Sequence, residues 1–201
     1  MASSLSATIR PLENGLGSRI AFETVLGSNG RIDATNNLKL GANGASEARG
    51  LVPRVDVADK FVKEPLSNGG FRFTYGDPAT HGLDALVSKN GVLSFDIRAN
   101  ANLAAEYGSG TDMAASLMNR LEGEGIKVNQ FDTQWMKGSK DVSTNYTYYN
   151  KMYRSVGELE AARGTWTGKF LANYGFDIVE PPAIVNVPIK TYLPKFVKVT
   201  R

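Results

Sequence analysis

Two rhythms of hydrophobic and polar positions organise this chain. Val92-Leu-Ser-Phe-Asp-Ile-Arg98 alternates strictly, with Leu93, Phe95 and Ile97 on one side and Val92, Ser94, Asp96 and Arg98 on the other. That period of two predicts a strand with one buried and one polar face. Phe71-Arg-Phe-Thr-Tyr75 alternates in the same way and predicts a second strand, closed by Gly76-Asp-Pro78. Helical spacing takes over at Ser109, where Met113, Leu117 and Leu121 form a stripe joined by Ala114 and Met118. Ser109 followed by Asp112 has the spacing of a capping box, and Gly123 and Gly125 stop the helix near Leu121.

The longest helical pattern runs from Ser155 to Gly175. Ser155 and Glu158 suggest a capping box, Leu159, Ala162, Trp166 and Phe170 share a face, and Gly175 closes the element. Inside it, Gly164, Thr165, Thr167 and Gly168 are poor helix formers, each glycine costing roughly 1 kcal/mol against alanine. Either a tight helix crossing anchored by Trp166 explains them, or Thr165, Thr167 and Lys169 face an anionic substrate.

Other elements are shorter. A helix is expected over 56–63 and a strand over 126–135, with a bulge where the alternation slips before Phe131. Strands are expected over 176–179, 184–189 and 195–200, the last two near an edge because of Pro188 and Pro194. Residues 1–50 are rich in Gly, Asn, Ser and Ala. Turn signals at Asn29-Gly30 and Asn43-Gly44, with apolar runs over 20–26 and 37–40, suggest a loose β region. The fold class read from this order is α+β: one mainly antiparallel sheet packed on two or three helices, after a Gly/Asn-rich start. Residues 1–85 read as an entry or linker region and 86–201 as an effector domain.

Composition narrows the chemistry. The chain has no cysteine, which removes disulfides, thiolate nucleophiles and cysteine-ligated zinc. A single histidine, His81, makes a two-histidine acid–base pair impossible. No metal site and no cofactor is called for, although Asp96, Asp132 and Glu124 are a weak cation option. No run reaches the ~20 apolar residues of a membrane-spanning helix. Residues 1–85 carry nine Lys/Arg and nine Asp/Glu, and residues 86–201 carry fourteen and eleven. Residues 181–201 hold Lys190, Lys195, Lys198 and Arg201 with no acid, which fits nucleic-acid contact or a solvated edge strand.

Tyrosines Tyr146, Tyr148, Tyr149 and Tyr153 interleave with Lys137, Lys140, Lys151 and Arg154, a mixture suited to stacking bases and pairing phosphates. Tyr149 and Tyr153 also have the spacing to pack on the following helix. The succession GVLSFDIRA, GSGTDMAASLMNRLEGEGIKV, NYTYYNKM and SVGELEAARGTWTGKFLANYGF resembles C-terminal toxin domains of bacterial polymorphic toxins of the Rhs and contact-dependent inhibition type. The likeness spans about 91–180. It implies delivery from a larger polypeptide into a target cell's cytosol and neutralisation by a cognate immunity protein, with the toxin monomeric until then.

Of the activities open to such a domain, a metal-independent ribonuclease is the leading expectation. It takes His81 or Lys169 as proton carrier, Arg98 as anion stabiliser, Thr165, Thr167 and Asn145 as hydrogen-bond donors, and Trp135, Lys137 and Tyr149 as substrate-binding residues. An NAD-consuming glycohydrolase or ADP-ribosyltransferase is the alternative. It would use Arg98, Ser143, Thr144 and Tyr148, with Glu122 and Glu124 as possible acids. A non-enzymatic binding module is the third.

Overall fold

The computed structural model describes residues 50–137, 144–186 and 189–199, with the backbone of one strand near the start. It is an α+β fold in which a mostly antiparallel sheet packs against helices. The strands are β1 (Ala21–Leu26), β2 (Val62–Pro65), β3 (Phe71–Asp77), β4 (His81–Val87), β5 (Val92–Asn100), β6 (Gln130–Met136), β7 (Phe176–Ile178), β8 (Ala183–Val185), β9 (Thr191–Leu193) and β10 (Lys195–Lys198). The helices are α1 (Ala104–Tyr107), α2 (Gly110–Gly123), α3 (Thr144–Val156), α4 (Glu158–Arg163) and α5 (Trp166–Ala172). The main path runs β2-β3-β4-β5-β1-β6-β10-β7, and β9 pairs with both β6 and β8.

Strand β5 sets the layout. It is antiparallel to β4 and parallel to β6, pairing Leu93 with Phe131. Further along, β1 lies parallel between them, with Glu23 opposite Ile97 and Ala21 opposite Thr133. Parallel neighbours need a crossover, and α2 supplies it between β5 and β6. Leu93, Phe95 and Ile97 are buried against the side that also takes Met113, Leu117 and Leu121 of α2, as the two rhythms require.

The α2 start matches its sequence signature. Ser109 Oγ accepts from the Asp112 N–H at 3.2 Å, and Asp112 Oδ2 accepts from the Ser109 N–H at 2.9 Å. Asp112 also fastens the segment before the sheet, because its Oδ1 accepts from the Arg54 N–H at 2.8 Å. One turn further along α2, Ser116 Oγ accepts from the Val57 N–H at 3.0 Å. This backbone tie accompanies a departure from the expected helix over 56–63. Val57 and Phe61 are indeed buried together, but only a 3-10 turn forms over Ala58–Lys60 before β2 begins.

The expected helix 155–175 is three helices. Ser155 lies within α3, its hydroxyl donating to Met152 O at 2.9 Å, and Gly157 at φ 87° ends that helix before Glu158. The residues that looked unfavourable are the ones a sharp turn needs. Thr165 caps α5, accepting from the Gly168 N–H at 3.0 Å and donating to Ala162 O at 2.7 Å. A Cβ on Gly168 would stand 2.4 Å from Ala162 O, so the chain turns too tightly there for any side chain.

The slip before Phe131 is likewise not a bulge. Residues 126–129 are the exit from α2, with the Ile126 N–H on Leu121 O and the Asn129 N–H on Gly91 O, and β6 starts at Gln130. β9 was not anticipated. The boundary drawn after residue 85 falls inside β4, whose residues are paired along β5. The expected strand over 20–26 is β1, whereas the hairpin around Asn29-Gly30 and the strand over 37–40 lie outside the described residues.

If Thr165 rather than Ser155 is a cap, alanine substitutions separate them. T165A should cost about 1–2 kcal/mol and S155A less than about 0.5 kcal/mol, read as urea midpoints at unchanged slope. Equal losses would restore the single long helix.

Candidate active site

Since β5 alternates, the residues excluded from the helix side collect on the opposite face of the sheet. Ser94, Asp96 and Arg98 point that way, and so do Asp84 opposite Asp96, Gly82 opposite Arg98, and Arg72 and Thr74 on β3. Arg72 grips Asp84 through two parallel bonds of 2.8 Å each, from Nε to Oδ1 and from Nη2 to Oδ2. This bidentate pairing leaves Asp84 occupied, with its charge still felt by the carboxyl across the ladder.

Asp96 is the unusual member. Burial raises its pKa from the ordinary carboxyl range to about 7; Arg98 opposes the rise and the Asp84 charge adds to it. Its Oδ1 and the Nε of Arg98 are both buried without a hydrogen-bond partner. The Arg98 guanidinium is steered from its far side, where Nη1 donates to Ala79 O at 3.1 Å. Asp77 shapes that turn, accepting the Ala79 N–H at 2.8 Å and the Thr80 hydroxyl at 2.9 Å. The result is a half-buried carboxyl that changes charge near neutrality, two residues from a fixed cation. Such a pair can carry a proton and stabilise developing negative charge.

The residues proposed from sequence do not converge on this face. His81 opens β4 on the helix side, 6 % exposed and edge-on to Tyr107, and its Nδ1 accepts from the Asn100 N–H at 2.9 Å. Strand parity therefore puts His81, named as proton carrier, and Arg98, named as anion stabiliser, on opposite faces of the sheet. Thr165 and Thr167 are buried, and their hydroxyls are used internally: Thr167 Oγ1 accepts from Asn145 Nδ2 at 2.7 Å, and Asn145 Oδ1 accepts the Thr167 N–H at 3.1 Å. Asn145 is wholly buried and ties α3 to α5.

Trp135 and Tyr149 are each 1 % exposed, with ring centres 5.4 Å apart, so neither offers a face for a base to stack on. Burial also pushes the Tyr149 hydroxyl pKa well up. Tyr149 stacks beside Tyr153 and meets Tyr192 of β9 edge-on, so these rings pack against the sheet. Lys169 is exposed, with Nζ 5.8 Å from the Tyr148 ring centre, and Lys137 is exposed beside β9. Of the candidate catalytic and binding residues that are described, Arg98 alone lies on the polar face with Asp96; Lys140 and Ser143 lie outside the described residues.

The carboxylates of the cation option stand apart too. Glu124 is engaged by Lys63 and Arg120, and Asp132 takes Gln130 Nε2 at 2.6 Å. Among the described residues no group of three His, Cys, Asp or Glu side chains is placed to hold a metal ion, and no helix is long and apolar enough to cross a membrane. In sequence Asp96 stood out as one polar position on an alternating strand and as part of the cation option, not as a proton carrier. Its burial comes from the sheet around it.

The raised Asp96 pKa makes a stability prediction. Between about pH 4, where an unfolded aspartate ionises, and pH 7, the folded chain holds a proton that the unfolded chain has lost. Stability from this group is therefore complete below pH 4 and is lost as pH rises toward 7, by an amount on the order of 2–4 kcal/mol. Urea unfolding of D96N across that range should lack this decline relative to the parent chain. Parallel pH profiles would mean that Asp96 ionises normally. No family model, curated protein or solved structure matches this chain.

Proposed function

We propose that this chain is an effector domain that cleaves RNA without a metal ion, with Asp96 as proton carrier and Arg98 as anion stabiliser. The observation that carries the reading is the half-buried Asp96 carboxyl titrating near 7 beside an Arg98 Nε that has no partner. Ionised Asp96 takes the proton of a ribose 2′-hydroxyl, whose oxygen attacks the adjacent phosphorus. The guanidinium meets the charge gathered on the phosphorane oxygens. The bond to the 5′-oxygen breaks, and that oxygen takes a proton from Asp96 or solvent, leaving a 2′,3′-cyclic phosphate.

The aspartate replaces His81 and Lys169 in this scheme, while Arg98 keeps the role its place at a strand end suggested. The threonines act as the cap and brace of α5. The likeness over 91–180 to polymorphic toxin domains supports the wider setting: delivery from a longer polypeptide, action in a target cell's cytosol, and an immunity protein as partner.

RNA incubated with the purified chain in chelator should yield fragments ending in cyclic phosphate, at a rate rising through about pH 7. D96N and R98A should each slow cleavage by about 100-fold or more, with folding retained. T167V and K169A should leave the rate per folded molecule unchanged. Intact RNA under all conditions, or full activity in D96N, would overturn the proposal.

A further inference from the structure

Two neighbouring polar atoms on β5 are complementary, yet they do not pair. Among the described residues, Asp96 Oδ1 and Arg98 Nε are buried without a hydrogen-bond partner, and the two side chains share one face of the strand. A buried acceptor and a buried donor are each costly when left alone, so a free arginine arm would close onto the carboxylate beside it. The arm is held elsewhere.

The hold lies at the end of the β3–β4 hairpin. Arg98 pairs with Gly82 of β4, and Gly82 pairs with Gly76 of β3, so this row of the sheet carries no side chain on either neighbouring strand. Across that bare row, Arg98 Nη1 donates to Ala79 O at 3.1 Å. Asp77 builds the turn that presents this carbonyl. Its Oδ1 accepts from the Ala79 N–H at 2.8 Å, its Oδ2 accepts from the Thr80 hydroxyl at 2.9 Å, and the Thr80 N–H closes the turn on Asp77 O at 3.0 Å. Pro78 supplies the fixed φ that suits the second position of such a turn. The Ala79 and Thr80 bonds, and more weakly the Arg98 charge, keep the Asp77 carboxyl below its ordinary range, so it stays a charged acceptor where Asp96 titrates.

The charged groups that face Asp96 among the described residues are Arg98 on its own strand and Asp84 on β4, with Arg72 of β3 bound to Asp84. Arg72 and Asp84 are paired with each other, which leaves the placement of Arg98 as the variable. We propose that Asp77 is a positioning residue: it fixes the Ala79 carbonyl, which holds the Arg98 guanidinium along the glycine row and stops it from closing on Asp96. This deepens, and rests on, the reading of Asp96 as proton carrier, because a carboxylate locked to Arg98 would stay ionised and could not return a proton to the leaving oxygen.

The test is the Asp96 titration midpoint in the full chain, read by nuclear magnetic resonance in the parent, D77A, R98A, D77A/R98A and D77N. Releasing Arg98 toward the carboxyl favours its charged form, so D77A should move the midpoint from about 7 to below about 6. In the R98A background the same substitution should have no effect, since no guanidinium remains to be released. D77N keeps an oxygen that accepts the Ala79 N–H and should stay close to the parent, and it carries the test if D77A does not fold. The rise of RNA cleavage with pH should move lower in D77A, with a maximal rate reduced about tenfold or more. The midpoints are read without RNA, so a failure here is separate from a failure of the cleavage reading. A midpoint unmoved by D77A, moved equally in the R98A background, or moved as far by D77N overturns the assignment.

Discussion

The structure depends on how β5 divides its side chains. Leu93, Phe95 and Ile97 join the apolar layer under α2, and that burial fixes the register of the strand, because a one-residue slip would turn every side chain over. Asp96 and Arg98 are thereby held on the opposite face by side chains packed on the other side of the sheet. Fully burying a side chain such as Leu93 is worth about 1.5–3 kcal/mol, and three such anchors outweigh the burial penalty borne by one carboxyl. A sheet pinned this firmly can keep a carboxyl in an environment that disfavours its charge.

Neighbouring groups then tune that carboxyl. Arg72 engages Asp84, so the acid facing Asp96 is partnered, and Arg98 is drawn toward the Ala79 carbonyl. Asp96 thus sits between an acid that disfavours its ionisation and a cation that favours it, and burial decides the balance. The polar core at the other end of the molecule, where Asn145 joins α3 to α5, does a different job. Its hydrogen bonds are satisfied within the protein and lock a helix turn.

Local signals were legible where the responsible residues are neighbours in sequence. The Ser109–Asp112 box and the β5 alternation are of this kind, and both stand as read. The Ser155–Glu158 spacing misled because Gly157, between them, takes a left-handed conformation that a spacing rule does not see. Thr165 and Gly168 read as strain in one helix because their partner, the end of α4, exists only once the chain has turned. β9 escaped notice because three residues, Thr191–Leu193, are too short to show a period. The candidate site was half legible. Alternation put Asp96 and Arg98 together, but the pairing of β4 with β5, which brings Asp84 opposite Asp96, is a long-range fact absent from any local pattern.

The central claim is that burial beside Arg98 holds the Asp96 carboxyl near neutrality. Carbon-detected nuclear magnetic resonance of the aspartate side chains, followed from pH 3 to 9 in the full chain, tests it most directly. The account predicts one aspartate with a midpoint near 7 that disappears in D96N and moves higher in R98A. An Asp96 midpoint near 4, unmoved when Arg98 is removed, would contradict it.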